Sequence, residues 1–466
     1  MSVRGRTAAP AVVIVGGGAS AALTAIHLLL GEREAEPPRV VIVDREGRHG
    51  LGQAYSTTDP THLLNAPVAK MSALAEDPDH LLRWARAQGI TVEGSDFLPR
   101  RTYGRYLRDL LDEAGRLRPG RLTEITGTVT SVSPEGSRWK VAVDDGDLFD
   151  ADAVVLATGN RAPTAWPWEP EGDPRYIADP WAPGALDRVD DSGDVLVVGT
   201  GLTMVDLAMT LTSRHPDRVV YAVSRHGLLP RPHRCPAPPA VPFSPPAGDV
   251  TVADLHRIYH ESVERNDGEW RGVVDGLRPH VPEMWGRLSL PEKQRFLTFF
   301  ARGWEVRRHR IPPVSVARID DLRSTGRLRV VKGFLDDVTA GRDSLAVAVA
   351  TDGLRREFEV GWVVNSTGPA ADPRTDPLLR DLIDAGTIAA DPLGLGLSAD
   401  GCGCLLGPEG EPRPGLFTLG PTLRGLRYET TAVPEIRAQA AHLAAVHLAE
   451  YDVPAARPST GRAVTT

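Results

Sequence analysis

The stretch VVIVGGGASA, residues Val12 to Ala21, places three glycines directly after a run of branched apolar residues. A strand buried on both faces reads as such a run, and a turn that brings backbone close to a ligand needs residues without a Cβ. The stretch therefore predicts strand, tight turn and helix. Gly16, Gly18 and Ala21 fit G-x-G-x-x-[GA]. In that spacing the first glycine makes the turn, the second admits a pyrophosphate, and the small third residue lets helix and strand pack. Ala19 and Ser20 then open the helix, whose N-terminal amides face the phosphate. A second apolar strand in RVVIVDRE ends in Asp44, an acid placed where a ribose-binding carboxylate belongs. An acid there favours free ribose hydroxyls over a 2′-phosphate.

The device occurs twice. GDVLVVGTGLTMVDLAMTL repeats strand, glycine turn (Gly199, Gly201) and helix (Leu202, Thr203), with Met204 where a small residue is usual. The strand that follows ends in Ser224, Arg225 and His226 rather than in an acid. A guanidinium there can clasp a 2′-phosphate, so Arg225 points to NADPH; the plainer reading is a solvated surface arginine. Two further apolar strands end in small polar turns, DAVVLATGN (Thr158, Gly159) and GWVVNSTGP (Gly368), which suit a chain passing beneath a cofactor at the carboxyl ends of a parallel sheet.

With these motifs the chain resembles the two-dinucleotide-binding flavoproteins. The resemblance covers most of the chain outside residues 231–318 and implies an α/β fold with two Rossmann-like domains, one for FAD and one for NADPH, and a helical insertion. The domain expectation is 1–190 with 366–466 for FAD, 191–230 with 319–365 for NAD(P)H, and 231–318 for a proline-rich linker and helices.

Between the first two motifs lies HGLGQAYSTTDPTHLLNAPVAKMS, which is similar to flavin-containing and N-hydroxylating monooxygenases in its N-x-P segment followed by methionine: Asn65, Pro67 and Met71. The resemblance implies that Asn65 lies beside the flavin ring and the nicotinamide as the catalytic residue, with Gln53 and Met71 also at the cofactor. FLPRRTYGRYLRDLL reads as a helix apolar at Tyr103, Tyr106, Leu107 and Leu110, packing on that segment. The F-x-G-x-x-x-H stretch of ketone-oxidising relatives has no counterpart between Gly159 and Gly199, which lowers Baeyer–Villiger chemistry. LFTLGPTLRGLRYETTAVPEIRAQ resembles the segment that closes the FAD site, with Gly420 and Pro421 where many relatives carry Gly-Asp. Thr430 and Thr431 are expected to start the last helix, whose dipole would face the reduced flavin.

The insertion shows capping-box spacing at Thr251/Asp254 and Ser289/Glu292. It ends in WEVRRHRIPP, where Arg308 and Arg310 could hold an anionic substrate or could equally be a salt-bridged helix end.

A chain of 466 residues can bury a large core. Its net charge of −8 argues against nucleic acid as partner. No apolar run approaches membrane-spanning length, and MSVRGRTAAP leads straight into the glycine-turn strand, so neither membrane nor signal peptide is expected and the expected location is cytoplasmic. Three cysteines, Cys235, Cys402 and Cys404, offer neither C-x-x-C nor metal spacing, so no metal and no dithiol relay is expected. The polar tail ARPSTGRAVTT reads as disordered.

The resemblance implies an FAD-dependent, NADPH-using monooxygenase that passes one atom of molecular oxygen, through a C4a-(hydro)peroxyflavin, to a nitrogen or sulfur of a small soluble metabolite. The alternatives are an NAD(P)H-dependent flavin oxidoreductase without oxygenation, and a flavin-bound redox sensor. The sequence leaves the oligomeric state open.

Overall fold

The computed structural model describes residues 11–31, 37–144, 146–166, 169–170, 172–189, 193–351 and 353–447. The basic N-terminal stretch and the polar tail lie outside the described residues.

Two open parallel sheets carry the fold. The first runs, in spatial order, Cys404–Leu406, Pro412–Thr418, Ala153–Leu156, Ala11–Val15, Arg39–Asp44 and Leu122–Thr126. All its pairings are parallel except the edge strand Cys404–Leu406. The second runs Leu328–Lys332, Val220–Ser224, Val195–Val198, Trp362–Asn365 and Tyr176–Ile177, parallel throughout. Both central strands are buried along their whole length, which is why they are continuous runs of valine, isoleucine and leucine rather than alternating patterns.

The two sheets are copies of one plan. In each, the glycine-turn strand lies between the strand that follows its helix and the strand that ends in the small polar turn. In each, a three-stranded antiparallel sheet comes between the third strand and the return strand: Val129–Glu135, Arg138–Val143 and Asp147–Ala151 in the first half, Phe334–Ala340, Leu345–Thr351 and Leu354–Val360 in the second.

The expected domain limits shift at two places. Tyr176–Ile177, expected in the FAD domain up to residue 190, pairs with Trp362–Asn365 at the edge of the second sheet; two residues are too short to carry a readable period. Helix Pro313–Ser324, cut by the expected limit at 318, buries Ile319 and Leu322 in the second sheet's core and leads into Leu328–Lys332. The insertion proper is helical from Val252 to Arg308. Both capping residues work as the spacing suggests: Thr251 accepts from the Asp254 amide and Ser289 from the Glu292 amide. Helix Arg100–Leu117 buries Tyr103, Tyr106, Leu107 and Leu110, and the Tyr106 hydroxyl accepts from the Ala73 amide at 3.0 Å, which fixes the segment after Met71. The halves are pinned by a buried ion pair, Arg100 with Asp206 at 2.7 Å.

Candidate functional site: two glycine turns and one cleft

The two turns are superimposable in their constraints. Gly16 has φ +105°, and a Cβ on it would lie 2.5 Å from the Ala157 carbonyl oxygen. Gly199 has φ +118°, and a Cβ there would lie 2.4 Å from the Ser366 carbonyl oxygen. In both, the return strand crosses directly beneath the turn, so only glycine fits. The second glycines differ in kind: both are extended, Gly18 at φ −75° and Gly201 at φ −86°. A Cβ on Gly18 would meet nothing nearer than the Gly52 Cα at 3.7 Å, and one on Gly201 nothing within 4 Å. The protein leaves open a cradle at each helix N-terminus that a side chain would fill, which is the room a pyrophosphate needs. At the first turn the Thr158 hydroxyl is buried without a partner among the described residues, an orphan that a bound cofactor would satisfy. The residues present fit an FAD.

Asp44 is not the open acceptor its spacing suggests. Its Oδ2 takes the Gly17 amide at 2.9 Å, and its Oδ1 takes the amides of Glu46 and Arg48. The carboxylate braces the glycine turn against the next loop; with about four lone-pair sites it keeps room for a ribose hydroxyl as a second duty.

Other expected residues of the first site divide. Ala19 begins the helix, and Ser20 is buried with its hydroxyl 2.8 Å from where a Cβ of Gly420 would be, so the C-terminal segment closes on the first turn through a glycine at φ +73°. Gln53 reaches Asp179 at 3.5 Å. Gly159, at φ +67°, has open space around its Cβ position. Met71 is a core residue, packed among the aliphatic side chains of the first half. Thr430 is fully buried; its hydroxyl donates to the Gly420 carbonyl and accepts from the Gln439 amide, so it ties the closing segment together rather than facing a cofactor. The last helix begins at Val433 with Ala432 as its cap, two residues later than expected, because Pro434 supplies the first-turn residue that lacks an amide. Gln439, whose side-chain oxygen also takes the Gly420 amide, had no motif to reveal it.

The second site opens into a cleft of about 890 Å³. Gly199, Gly201, Leu202, Thr203, Arg225 and Gly368 all line it. From the other side come Arg302, Glu305 and His309 of the insertion, and Arg424, Tyr428, Glu429 and Thr431 of the segment that closes the first site. Thr431 is exposed in this cleft, one residue from the fully buried Thr430. The segment is bent there: Tyr428 has φ +56° and ψ −56°, and the Glu429 amide donates to the Arg427 carbonyl at 2.7 Å. That three-residue turn carries strain of about 1–3 kcal/mol, held in place by Tyr428 stacking on Trp285 with ring centroids 4.8 Å apart. Arg302 donates to the Thr200 and Leu228 carbonyls, so the insertion grips the second glycine turn. Burial, with the charge of Arg225 added, lowers the Arg302 pKa. The His309 imidazole is held neutral, its pKa pushed down to about 3 by burial and then by Arg308.

Asn65 does not line this cleft. Its backbone carbonyl accepts from the His233 Nε2 at 2.9 Å, and burial keeps that imidazole neutral, with a pKa near 4. Its side-chain amide has no intramolecular partner among the described residues.

Arg308 and Arg310 are not a substrate clamp. Arg308 is buried and pairs with Glu429 at 3.0 Å and with Glu435; Arg310 is buried and pairs with Asp275. Both guanidiniums are spent internally, fastening the insertion to the closing segment and to its own helices. Arg308→Ala is expected to lower stability by about 3–5 kcal/mol, because it strands the buried Glu429. Denaturant unfolding reads this directly, and an unchanged midpoint would contradict it.

Residues 13–161 match the family model described as FAD-NAD(P)-binding. The uncharacterized protein YdhS of Escherichia coli (strain K12) is 24% identical over 339 residues, 65% of this chain and 60% of that protein, so the match spans less than two thirds of the relative's length. The FAD-bound cadaverine monooxygenase of the desferrioxamine pathway of Erwinia amylovora is similar in structure, with a TM-score of 0.65 at 13% identity, covering 99% of each chain. The L-lysine 6-monooxygenase of Pseudomonas syringae gives 0.64 at 17% identity over 94% of this chain and 99% of that one. The thioredoxin reductase of Lactococcus lactis gives 0.51 at 12% identity over 95% and 99%. Among the described residues no helix is long and apolar enough to cross a membrane. Residues 13–161 thus match an FAD-NAD(P)-binding domain, and the chain as a whole shares its fold with these monooxygenases and this reductase.

Proposed function

We propose that the chain is an FAD-dependent, NADPH-oxidising monooxygenase that places one oxygen atom on a nitrogen of a small metabolite. The observation that carries this reading is the single cleft shared by the second glycine turn and by Thr431 of the segment that closes the first. A nicotinamide bound at Gly199–Leu202 would extend into the cleft that the flavin's closing segment also lines. No cysteine lines that cleft, and the three cysteines are free. Burial holds the Cys404 thiol up at about 11, far from a reactive thiolate. Electrons reaching the flavin thus have no thiol relay and need a diffusible acceptor, which favours oxygen over the disulfide chemistry of the reductase neighbours. The greater structural similarity to the lysine and cadaverine monooxygenases supports nitrogen as the atom oxidised.

Bound FAD supplies hydride acceptance and oxygen activation. The chain's own residues would hold the pyrophosphate at Gly18, brace the turn through Asp44, close the site with Gly420, and wall the cleft with Arg302, Glu305 and His309 of the insertion. A panel of small amines tests the reading: at least one should stimulate NADPH oxidation and yield an oxygenated product. Hydrogen peroxide as the sole product across the panel would favour the oxidoreductase reading instead.

Asn65 keeps an amide without intramolecular partner among the described residues, on a backbone carbonyl held by the neutral His233. In this reading the amide serves the oxygen-reacting edge, since it offers both a donor and an acceptor. Asn65→Asp is expected to retain FAD and accept hydride, yet release most of the oxygen as hydrogen peroxide, because a carboxylate adds negative charge where anionic oxygen must be held. Peroxide yield per NADPH measures it; coupling equal to the parent's would remove Asn65 from the chemistry.

A further inference from the structure

Phe334 is 61% exposed, a large apolar ring left in water at the mouth of the cleft. Its position follows from the second sheet. Strand Leu328–Lys332 runs parallel to Val220–Ser224 with Lys332 opposite Ser224, and the Gly333 amide donates to the Ser224 carbonyl at 3.0 Å. Arg225 therefore leaves one strand and Phe334 the next at the same carboxyl edge, where parallel sheets bind their ligands. Gly333 between them is required: a Cβ there would lie 2.6 Å from the Ala350 carbonyl oxygen. The chain turns on that glycine and delivers Phe334 to the wall that also holds Arg225 and His226.

The exposed Phe334 ring shares the cleft wall with Arg225 and His226. It is a good floor for a flat heteroaromatic base, which stacks on an aromatic face whatever its edge pattern. We propose that Phe334 is the stacking platform for the adenine of the nicotinamide dinucleotide, with Arg225 holding the adjoining 2′-phosphate. The proposal rests on the NADPH reading above and adds where the adenosine half lies: at the carboxyl ends of Val220–Ser224 and Leu328–Lys332, leaving the part of the cleft lined by Glu305, His309 and Thr431 for the nicotinamide and the substrate.

The test uses the FAD-loaded protein and titration calorimetry with three probes. Adenosine 2′,5′-bisphosphate and 5′-AMP should each bind Phe334→Ala more weakly than parent by roughly fivefold to a hundredfold, the range expected for one lost base stack. Nicotinamide mononucleotide should bind unchanged. Phe334→Tyr should restore both adenosine probes. Arg225→Ala should weaken the bisphosphate and leave 5′-AMP nearly untouched, which separates the phosphate from the base. Adenosine probes that bind Phe334→Ala as they bind parent would overturn the proposal. So would equal losses for all three probes, or a change in association state with probe affinity unchanged. If the parent binds 5′-AMP and the bisphosphate equally well, it is the NADPH preference that fails, and the 5′-AMP arm still decides the stacking.

Discussion

Gly18→Val should purify as a folded protein without its flavin. The valine Cβ meets no protein atom nearer than 3.7 Å, so the chain itself has little reason to object. Its branches instead fill the cradle at the N-terminus of helix Ala19–Leu30, where the pyrophosphate must approach backbone amides. Losing two charge-assisted hydrogen bonds at about 1.5 kcal/mol each would weaken FAD by about a hundredfold or more. Flavin absorbance per mole of protein, beside an unchanged far-ultraviolet circular dichroism spectrum, reads the result. A full flavin complement would move the FAD away from the first turn. Gly16 offers no such clean test, because a side chain there collides with the Ala157 carbonyl and damages the sheet itself.

Gly201→Val should give the complementary defect. No atom lies within 4 Å of its Cβ position, so the variant should fold and keep FAD at the untouched first turn. Anaerobic mixing with NADPH should then reduce the flavin roughly a hundredfold more slowly at a fixed donor concentration, since a dinucleotide displaced by about an ångström no longer aligns its hydride. Dithionite should still bleach the same flavin at the parent's rate. Unimpaired NADPH reduction would show that the hydride donor does not lie on the second turn. The two substitutions occupy equivalent positions of a duplicated unit, so opposite outcomes for the two cofactors would assign each half its ligand.

The duplication was legible because its demands are local. A glycine turn after a buried strand, and a small polar turn on the return strand, are forced by backbone contacts of about van der Waals distance and leave a fixed residue pattern. Gly16 with Ala157 and Gly199 with Ser366 show that the pattern and the contact are the same fact. The helix caps at Thr251 and Ser289 were readable for the same reason.

What sequence did not disclose depends on contacts far apart in the chain. Arg308 and Arg310 read as either an anion site or a salt-bridged helix end, and sequence could not name their carboxylate partners because Glu429, Glu435 and Asp275 lie elsewhere in the chain. Thr430 looked like a helix cap facing the cofactor, yet its hydroxyl accepts from the side-chain amide of Gln439 in the following helix and donates to the Gly420 carbonyl. Asp44 sat at the right spacing for a ribose, and only the folded loop shows three amides converging on it. Tyr176–Ile177 is too brief a strand to have a period, and its place in the second sheet is set by Trp362–Asn365 alone.

In the proposed function, reducing equivalents from NADPH, delivered through the shared cleft, end in an oxygen atom transferred to a nitrogen. The most direct measurement supplies isotopically heavy dioxygen, NADPH and the most stimulating amine of the panel to the FAD-loaded protein, and weighs the product. The product should carry one heavy oxygen atom on nitrogen and form in proportion to the NADPH consumed. NADPH oxidised in full while the heavy oxygen appears only in hydrogen peroxide and the amine is recovered unchanged would contradict it.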